Sequence, residues 1–536
     1  MSIFHLSQKD FKFIAIFFLL IFVIYGQSLF GDFVFDDRNI VENETLLSNS
    51  PNMTDVMIHP FWNTEAGLYR PTTLLSYTLN FAFLGNNPIG FHFVNLILYF
   101  LVCSFLYIFI KRLSQNDYLS FFASLLFLVL PIHTEVVANI SGRSEILALL
   151  FSLLLLLEFT KEKPINFWLT GTFMFLAIGS KETAIVIIPI LLILLYIKEK
   201  NINRAITDKY FKSLSAVFIG TCLYFFLRFF SLGPLNFLGV KTSLIENPLI
   251  FIDIPSRIFT SLKIFFMYIT KTIWPINLCS DYSFNQIPII HNFSNLETIL
   301  GFILLFISIL FIFIYIKKKP IISLSLSIFV FSFLPVSNLI FPIGTIAGER
   351  LFFFPSLGFS ILIVYLIFEL FRKINNRKIK IIAISLIILI LSIYGFLALK
   401  RQGVWVSEEK LFLSASKCAP GSVLSRSNAG AIYLLNGDLK KAKEELELAR
   451  NIKPIYSKGL NNLGLVYFRN GDNKKAEELY KEAIRQDFPY SGAYENLILL
   501  YLNEKEITKA RHWLMFLYPN NPKDIDLLIE NFNKQL

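Results

Sequence analysis

Twelve apolar runs before residue 403 limit this chain more than any other feature. They lie near residues 11–30, 89–110, 118–132, 144–160, 166–180, 183–198, 212–231, 257–275, 297–316, 320–341, 350–371 and 379–399. Several approach the roughly 20 residues that a helix needs to cross a bilayer. With 54% hydrophobic residues and 58 phenylalanines, the chain carries more apolar side chain than one water-soluble core can enclose. It reads as an all-α integral membrane protein. Residues 11–30 follow Lys9 and Lys12 and lack a small-x-small cleavage site. They exceed a usual signal-peptide core and read as an uncleaved first span.

The formal charge of +11 would suit a nucleic-acid partner if the basic residues formed one surface. They sit instead in short clusters between apolar runs, a pattern that sets membrane orientation and argues against nucleic acid. Lys111-Arg112, Lys161 with Lys163, the 198–212 stretch, Lys317-Lys318-Lys319 and the 372–380 cluster are all assigned to the cytoplasm, with the N-terminus. Two runs then separate each pair of clusters, except that three lie between 212 and 317. Arg257, Lys263 and Lys271 interrupt the run at 257–275, which is predicted to be re-entrant or interfacial. The expectation is about 11 transmembrane helices plus this one, with the C-terminus outside. Cys103, Cys222, Cys279 and Cys418 have no metal-ligand spacing and predict neither a disulfide framework nor a zinc site.

After residue 403 the chain becomes polar and periodic. Asn428, Asn462 and Asn496 recur at one interval, as do Tyr433, Tyr467 and Tyr501, and Ala442, Ala476 and Ala510. The interval is that of tetratricopeptide repeats, α-solenoids built from helix pairs. Gly437 and Gly471 mark the turns inside the first two repeats, while a third has Lys505 at that place. The expected organisation is a membrane domain over 1–402, with 31–88 as its first outer loop, and about three repeats over 403–536. Such repeats form a groove for peptide segments, which the orientation argument puts on the outer side.

The outer loops carry the charges of interest. Residues 31–88 hold Asp36, Asp37, His59, Glu65 and Arg70. "PIHTEVVANISGRSEI" brings His133, Glu135, Arg143 and Glu145; "GSKETA" brings Lys181 and Glu182; "GTIAGERLFF" brings Glu349 and Arg350. Charges at membrane depth line cavities or pair with one another. Structural ion pairs and snorkelling ends would explain any single pair. All of them on one face, beside an acidic loop, suit a site for a lipid-phosphate-linked substrate. A carboxylate there takes a proton from an acceptor hydroxyl, and an arginine or lysine holds phosphate. Asp36 and Asp37 divide base and acceptor-holding roles, or hold a divalent metal, although a lone acidic pair is a weak metal signal. His133 reads as a hydrogen-bonding residue. Asp281 and Tyr282 in "LCSDYSFNQIP" are candidates for an acceptor-side loop or a plain connector.

"GDFVFDDRNIVEN", "YRPTTLLSYTLNFAFLG" with "GFHFVNLILY", "PIHTEVVANISGRSEILALLF", "SKETAI", "DYS", "GERLFFFPSLGFSIL" and the trailing repeats occur in this order. Together they resemble the transmembrane-and-tetratricopeptide-repeat O-mannosyltransferase family and its bacterial relatives, within the GT-C glycosyltransferases. The resemblance implies a polytopic helical fold with the catalytic acid in the first outer loop. It implies a polyprenyl- or dolichyl-phosphate sugar donor, carrying mannose or another hexose, and inverting transfer to a hydroxyl, here protein Ser or Thr. On that basis Asp36 is the candidate base, with Asp37 as the alternative. Arg143, Lys181 and Arg350 become candidate lipid-phosphate contacts, with Arg70, His133, Glu135, Glu145, Glu182 and Glu349 around them. Eukaryotic members carry longer repeat arrays, which leaves a glycolipid or surface polysaccharide open as acceptor. The expected setting is a bacterial inner membrane with the repeats extracytoplasmic, or an endoplasmic reticulum membrane with them lumenal. A membrane-anchored repeat scaffold and a lipid-sugar transporter are the competing classes. A scaffold has no use for the acid–base pairs, and a transporter would show repeated halves, which are not seen here.

Overall fold

The computed structural model describes residues 6–48, 51–62, 67–161, 166–199, 208–236, 242–486, 491–517, 525 and 529–530. Glu65, Lys163 and most of the 198–212 basic stretch lie outside them. Among the described residues every regular element is helical. The chain divides into two compact units, Met1–Ser280 with Ile289–Lys410, and Asp281–Pro288 with Leu411–Leu536.

In the first unit, among the described residues, seven helices are long and apolar enough to cross a membrane, and an eighth counts if a bent pair is one span. Four of the eleven expected spans lie outside that count of long helices for local reasons. The run at 118–132 bends by 54° where Asp117–Val129 meets Pro131–Ala138, because Pro131 cannot continue the hydrogen-bond ladder. The runs at 166–180 and 320–341 form the shorter helices Phe167–Ser180 and Pro320–Phe333. The run at 183–198 begins as a 3-10 turn and leaves only Ile187–Glu199 as α-helix. The doubtful 257–275 run is the Ile254–Ile273 helix, whose buried residues Ser256, Thr260, Ile264, Phe265 and Tyr268 repeat at helical spacing. It is not among the candidate spans.

Local chemistry fixes where these helices start and how closely they pack. Asn87, Asn116, Asn166, Asn295 and Asn376 each cap a helix, the side-chain oxygen accepting from an N–H of the first turn. A Cβ on Gly358 would lie 2.3 Å from Ser325 O, and one on Gly301 would lie 2.0 Å from Leu262 O. At these crossings only glycine lets the backbones approach, the usual device where lipid removes the hydrophobic drive to pack.

In the second unit, Val423–Leu435, Leu439–Ile452, Ser457–Arg469, Asn473–Gln486, Ser491–Asn503 and Ile507–Leu517 form three successive helix pairs. Ala442, Ala476 and Ala510 are fully buried in their core. Lys441, Lys475 and Lys509 lie over Tyr433, Tyr467 and Tyr501 at 5.4, 5.1 and 5.2 Å. Gly437 and Gly471 turn with φ of 77° and 80°, and Lys505 keeps the same turn at 62°.

Residues 281–288 belong to this second unit. Asp281 accepts from Ser422 Oγ at 2.5 Å, Ser425 Oγ at 2.6 Å and Ser283 N at 2.9 Å. Phe284 O accepts from Val423 N at 2.7 Å. The segment fastens the start of the first repeat helix, and Asp281 is engaged by hydroxyls there. Tyr282 is buried. Cys279 and Cys418 are disulfide-bonded while Cys103 and Cys222 are free, which corrects the expectation of no disulfide. Cysteine spacing carried no signal of this bonding.

Candidate active site

The loop that follows the first span sets the site. Asp32 N donates to Val406 O at 3.0 Å. Phe35 then adopts φ 55°, a left-handed conformation that strains a bulky residue by about 1–2 kcal/mol. The two aspartates beyond it have different fates.

Asp37 is fully buried. Its carboxylate accepts from Ser141 N at 2.7 Å, Ile140 N at 3.3 Å and Val34 N at 3.4 Å. The first two N–H groups lead into the Arg143–Thr160 helix, whose positive end favours an acid. Burial pushes Asp37 up to about 8, with the three N–H donors pulling it down. Asp37 therefore ties the loop to the 140–141 turn, with none of its surface exposed.

Asp36 remains partly open, with 23% of its side chain exposed, and its Oδ2 lies 3.6 Å from Arg350 Nη1. Burial raises its pKa; Arg350 and Arg70 lower it, and Glu246 acts with burial. Arg350 also holds Glu135, through Nη1 to Oε1 at 3.2 Å and through its backbone N–H to Oε2 at 3.0 Å. Two further pairs complete the cluster. Arg70 meets Glu182 through Nε at 3.0 Å and Nη2 at 3.4 Å. Lys181 pairs with Glu145, both nearly buried. Burial lowers the pKa of Lys181, Glu145 opposes this, and Arg70 and Arg350 add to it. Asp36, Glu135, Arg350, Lys181, Glu145, Arg70 and Glu182 thus act on one another within one region.

Three expected members stand apart. Arg143 is fully buried, and its guanidinium donates to Asn95 Oδ1 at 2.7 Å, Asn80 Oδ1 at 2.9 Å, Phe91 O at 2.8 Å and Ser76 O at 3.3 Å. The rings of Tyr77 and Phe91 close over it at 4.8 and 5.4 Å. Four of its five N–H groups are committed, so it does not offer a fork to a phosphate. His133 is buried between Tyr99 OH at 2.9 Å and Ser356 Oγ at 2.7 Å, with both ring nitrogens engaged. Glu349 accepts from Arg401 Nη2 at 3.3 Å and from the N–H of Cys279. Among the described residues no group of three His, Cys, Asp or Glu is placed to hold a metal ion. Hard divalent ions take several oxygen ligands, so these residues do not fit one.

Some supporting residues escaped the sequence reading. Tyr268 OH donates to Gly348 O and accepts from Gly348 N, both at 2.9 Å, and so pins the loop before Arg350. Asn338, at φ 59°, accepts from Asn247 Nδ2 at 2.9 Å and Ile343 N at 2.8 Å. Ile346 N donates to Glu246 O at 3.1 Å, which joins the segment holding Glu246 to the same loop.

Comparison with known proteins follows this geometry. The chain is 28% identical over 446 residues to a protein named Protein O-mannosyl-transferase F38B6.6 from Caenorhabditis elegans, covering 81% of this chain and 62% of the relative. It is 26% identical over 494 residues to Protein O-mannosyl-transferase TMTC3 from Mus musculus, with coverages of 84% and 52%. Against Protein O-mannosyl-transferase TMTC1 from Homo sapiens the identity is 28% over 484 residues, with coverages of 82% and 54%. This chain is a relative of the protein O-mannosyl-transferases. It spans between about half and three fifths of the length of these relatives. The tetratricopeptide repeat family model matches residues 457–488, the second of the three helix pairs. The likeness to the O-mannosyl-transferases runs over most of the chain.

Proposed function

We propose that this chain is a membrane glycosyltransferase that moves a hexose, mannose by analogy with its relatives, from a polyprenyl- or dolichyl-phosphate carrier to a protein hydroxyl. The observation that carries the reading is Asp36: a partly exposed carboxylate, 3.6 Å from the guanidinium of Arg350, inside a cluster of paired charges. In the reaction Asp36 takes the proton of the acceptor hydroxyl as its oxygen attacks the anomeric carbon. The bond from that carbon to the phosphate oxygen breaks, and the carrier phosphate leaves with the electron pair. Arg350 stabilises the negative charge that develops on it. Glu135 grips Arg350 from the backbone and the side chain, which holds the cation in place for that task. Asp37 and Arg143 act one layer back, by fixing the loop and turn that present Asp36. Lys181 and Arg70 contribute positive potential around the phosphate.

The active face is assigned to the outer side. The basic clusters support this by the positive-inside rule. The disulfide-bonded Cys279 and Cys418 agree with it, since such bonds persist in oxidising compartments. The repeat unit is assigned to the acceptor, with peptide segments lying along its helix pairs. The test is transfer of labelled mannose from polyprenyl-phosphate mannose to acceptor protein in proteoliposomes. Asp36→Asn is expected to lower transfer by about 10²–10⁴-fold with normal insertion. Full activity in that variant would remove Asp36 as base.

A further inference from the structure

We propose that Glu246 binds hydroxyl groups of the hexose while it is transferred. The inference rests on the glycosyltransferase reading and adds to it a residue that recognises the sugar. A hexose carries several hydroxyls, and a carboxylate oxygen is the strongest acceptor that a side chain offers them. The acids paired around Asp36 have little of that capacity left. Glu135 is held by Arg350 at 3.2 Å, Glu182 by Arg70 at 3.0 Å, and Glu145 by Lys181. Glu246 is different. It is exposed, and among the described residues no cation pairs with it. Its side-chain bonds all fall on Oε2, from Thr242 Oγ1 at 2.9 Å, Ser243 N at 3.2 Å and Ser243 Oγ at 3.3 Å. Among the described residues nothing donates to Oε1.

The turn that carries this carboxylate is fixed from two sides. Within it, Asn247 N donates to Ser243 O at 3.0 Å and Glu246 N to Ser243 Oγ at 3.3 Å. Across it, Ile346 N donates to Glu246 O at 3.1 Å, and Asn247 Nδ2 donates to Ile343 O at 2.6 Å and Asn338 Oδ1 at 2.9 Å. Thr242 Oγ1 also lies 2.9 Å from Gly344 O. Asn247 and Asn338 are buried, so these bonds are shielded from water. The 242–247 turn and the 338–347 loop therefore hold one another in place. An acid on a fixed turn meets a substrate without first losing the freedom of a mobile loop.

The same loop leads straight to the reacting groups. Gly348 is pinned by Tyr268 OH, and Arg350 follows with Nη1 3.6 Å from Asp36 Oδ2. Arg350, Arg70 and Glu246 all act on the charge of Asp36. Glu246 therefore shares the field of the base and its cation, with one carboxylate oxygen uncommitted. The division of labour follows from charge. Arg350 suits the carrier phosphate, Asp36 takes the proton of the acceptor, and Glu246 takes hydroxyls of the sugar that lies between them.

The experiment uses the full chain in proteoliposomes with acceptor protein. The donors are polyprenyl-phosphate mannose and the same carrier bearing mannose that lacks one hydroxyl in turn. Wild-type protein is expected to use at least one deoxy donor about tenfold less well in kcat/KM. Glu246→Gln keeps an oxygen for the turn, so its melting temperature should match wild type while kcat/KM for the mannose donor falls about tenfold. The penalty for that deoxy donor should then nearly vanish, because the contact it reports is already lost. The variant also removes a negative charge near Asp36 while Arg350, Arg70 and the adjacent Asp37 stay. Glu246 acts with burial to raise the pKa of Asp36, so the acidic limb of kcat/KM should move to lower pH in Glu246→Gln and stay in place in Glu246→Asp. Wild-type protein that transfers every deoxy sugar as well as mannose overturns the proposal without any variant. An equal loss for all donors in Glu246→Gln, an effect confined to the KM for acceptor protein, or an unmoved acidic limb overturns it too. Each of these leaves the glycosyltransferase reading in place, because the wild type still transfers mannose. No transfer by the wild type from any polyprenyl-phosphate sugar overturns that reading and the inference with it.

Discussion

Arg143 and Arg350 have similar settings in the sequence, each beside an acid in a short motif between apolar runs, and the fold treats them oppositely. Arg143 is sealed under two rings and holds four oxygens from the 76–95 region. Arg350 keeps 31% of its side chain exposed and bridges two carboxylates. The contrast teaches that an arginine's function is set by how many of its donors the protein has already used. Arg143 builds the frame; Arg350 retains capacity for a substrate.

The contrast is sharpest if Arg143 is truncated. Arg143→Leu leaves the buried Asn95 Oδ1 and Asn80 Oδ1 without their guanidinium donor, next to the turn that holds Asp37. A buried acceptor left without its donor costs about 1–3 kcal/mol. The expected result is loss of folded protein on size exclusion in detergent and a much lower melting temperature. Arg143→Lys should rescue little, because an ammonium cannot reproduce the fork. A variant of normal stability that failed only in carrier binding would reverse the roles of the two arginines.

Arg350→Lys tests the other side. It keeps the charge beside Asp36 and Glu135 but loses the planar fork. Transfer should fall about 10²-fold in kcat with the melting temperature nearly unchanged. Wild-type kcat in this variant would show that the fork does not meet the transition state.

The pH profile offers a smaller and more specific test. A general base acts ionised, so activity rises with pH through the pKa of Asp36. Burial raises that pKa, so the acidic limb should lie above the ordinary carboxylate range. Arg350 pulls in the opposite direction. Removing its charge with Arg350→Gln should move the limb to higher pH, whereas Arg350→Lys should leave it near its original place. A limb that moved down on loss of the charge would mean that another group governs the profile.

The separation of Asp36 from Asp37 was not legible in adjacent letters of sequence. It depends on the left-handed Phe35 and on the 140–141 turn arriving from far along the chain. The pocket of Arg143 did leave a trace. Asn80 and Asn95 each stand in an apolar helix, and polar residues so placed face inward towards a partner. Arg401 left none, since Lys400-Arg401 at the end of an apolar run looks like an ordinary flank. The helix pairs after residue 403 were far easier to read, because their contacts are local and recur at a fixed interval. Membrane crossings fell between these cases: hydropathy located the runs, but proline and polar caps decided which became long helices.

The repeat unit extends the same distinction between residue identity and structural role to the backbone. Lys505 replaces the glycine of the earlier turns, so its letter suggests a lost turn. The geometry is retained: Lys505 N donates to Leu502 O at 3.0 Å and Glu506 N to Tyr501 O at 2.8 Å. The matching bonds at Gly471 and Asp472 are 3.0 and 2.9 Å, and those at Gly437 and Asp438 are 3.2 and 2.9 Å. A lysine at φ 62° carries a steric penalty that glycine avoids. Lys505→Gly should therefore stabilise the last helix pair by about 1 kcal/mol, less any gain in unfolded-chain entropy. Hydrogen exchange in the Ser491–Asn503 and Ile507–Leu517 helices should slow by about fivefold for each such increment. Gly471→Ala should do the reverse in the pair before it. Faster exchange in Lys505→Gly would mean that the lysine side chain supports the turn by more than the strain it introduces.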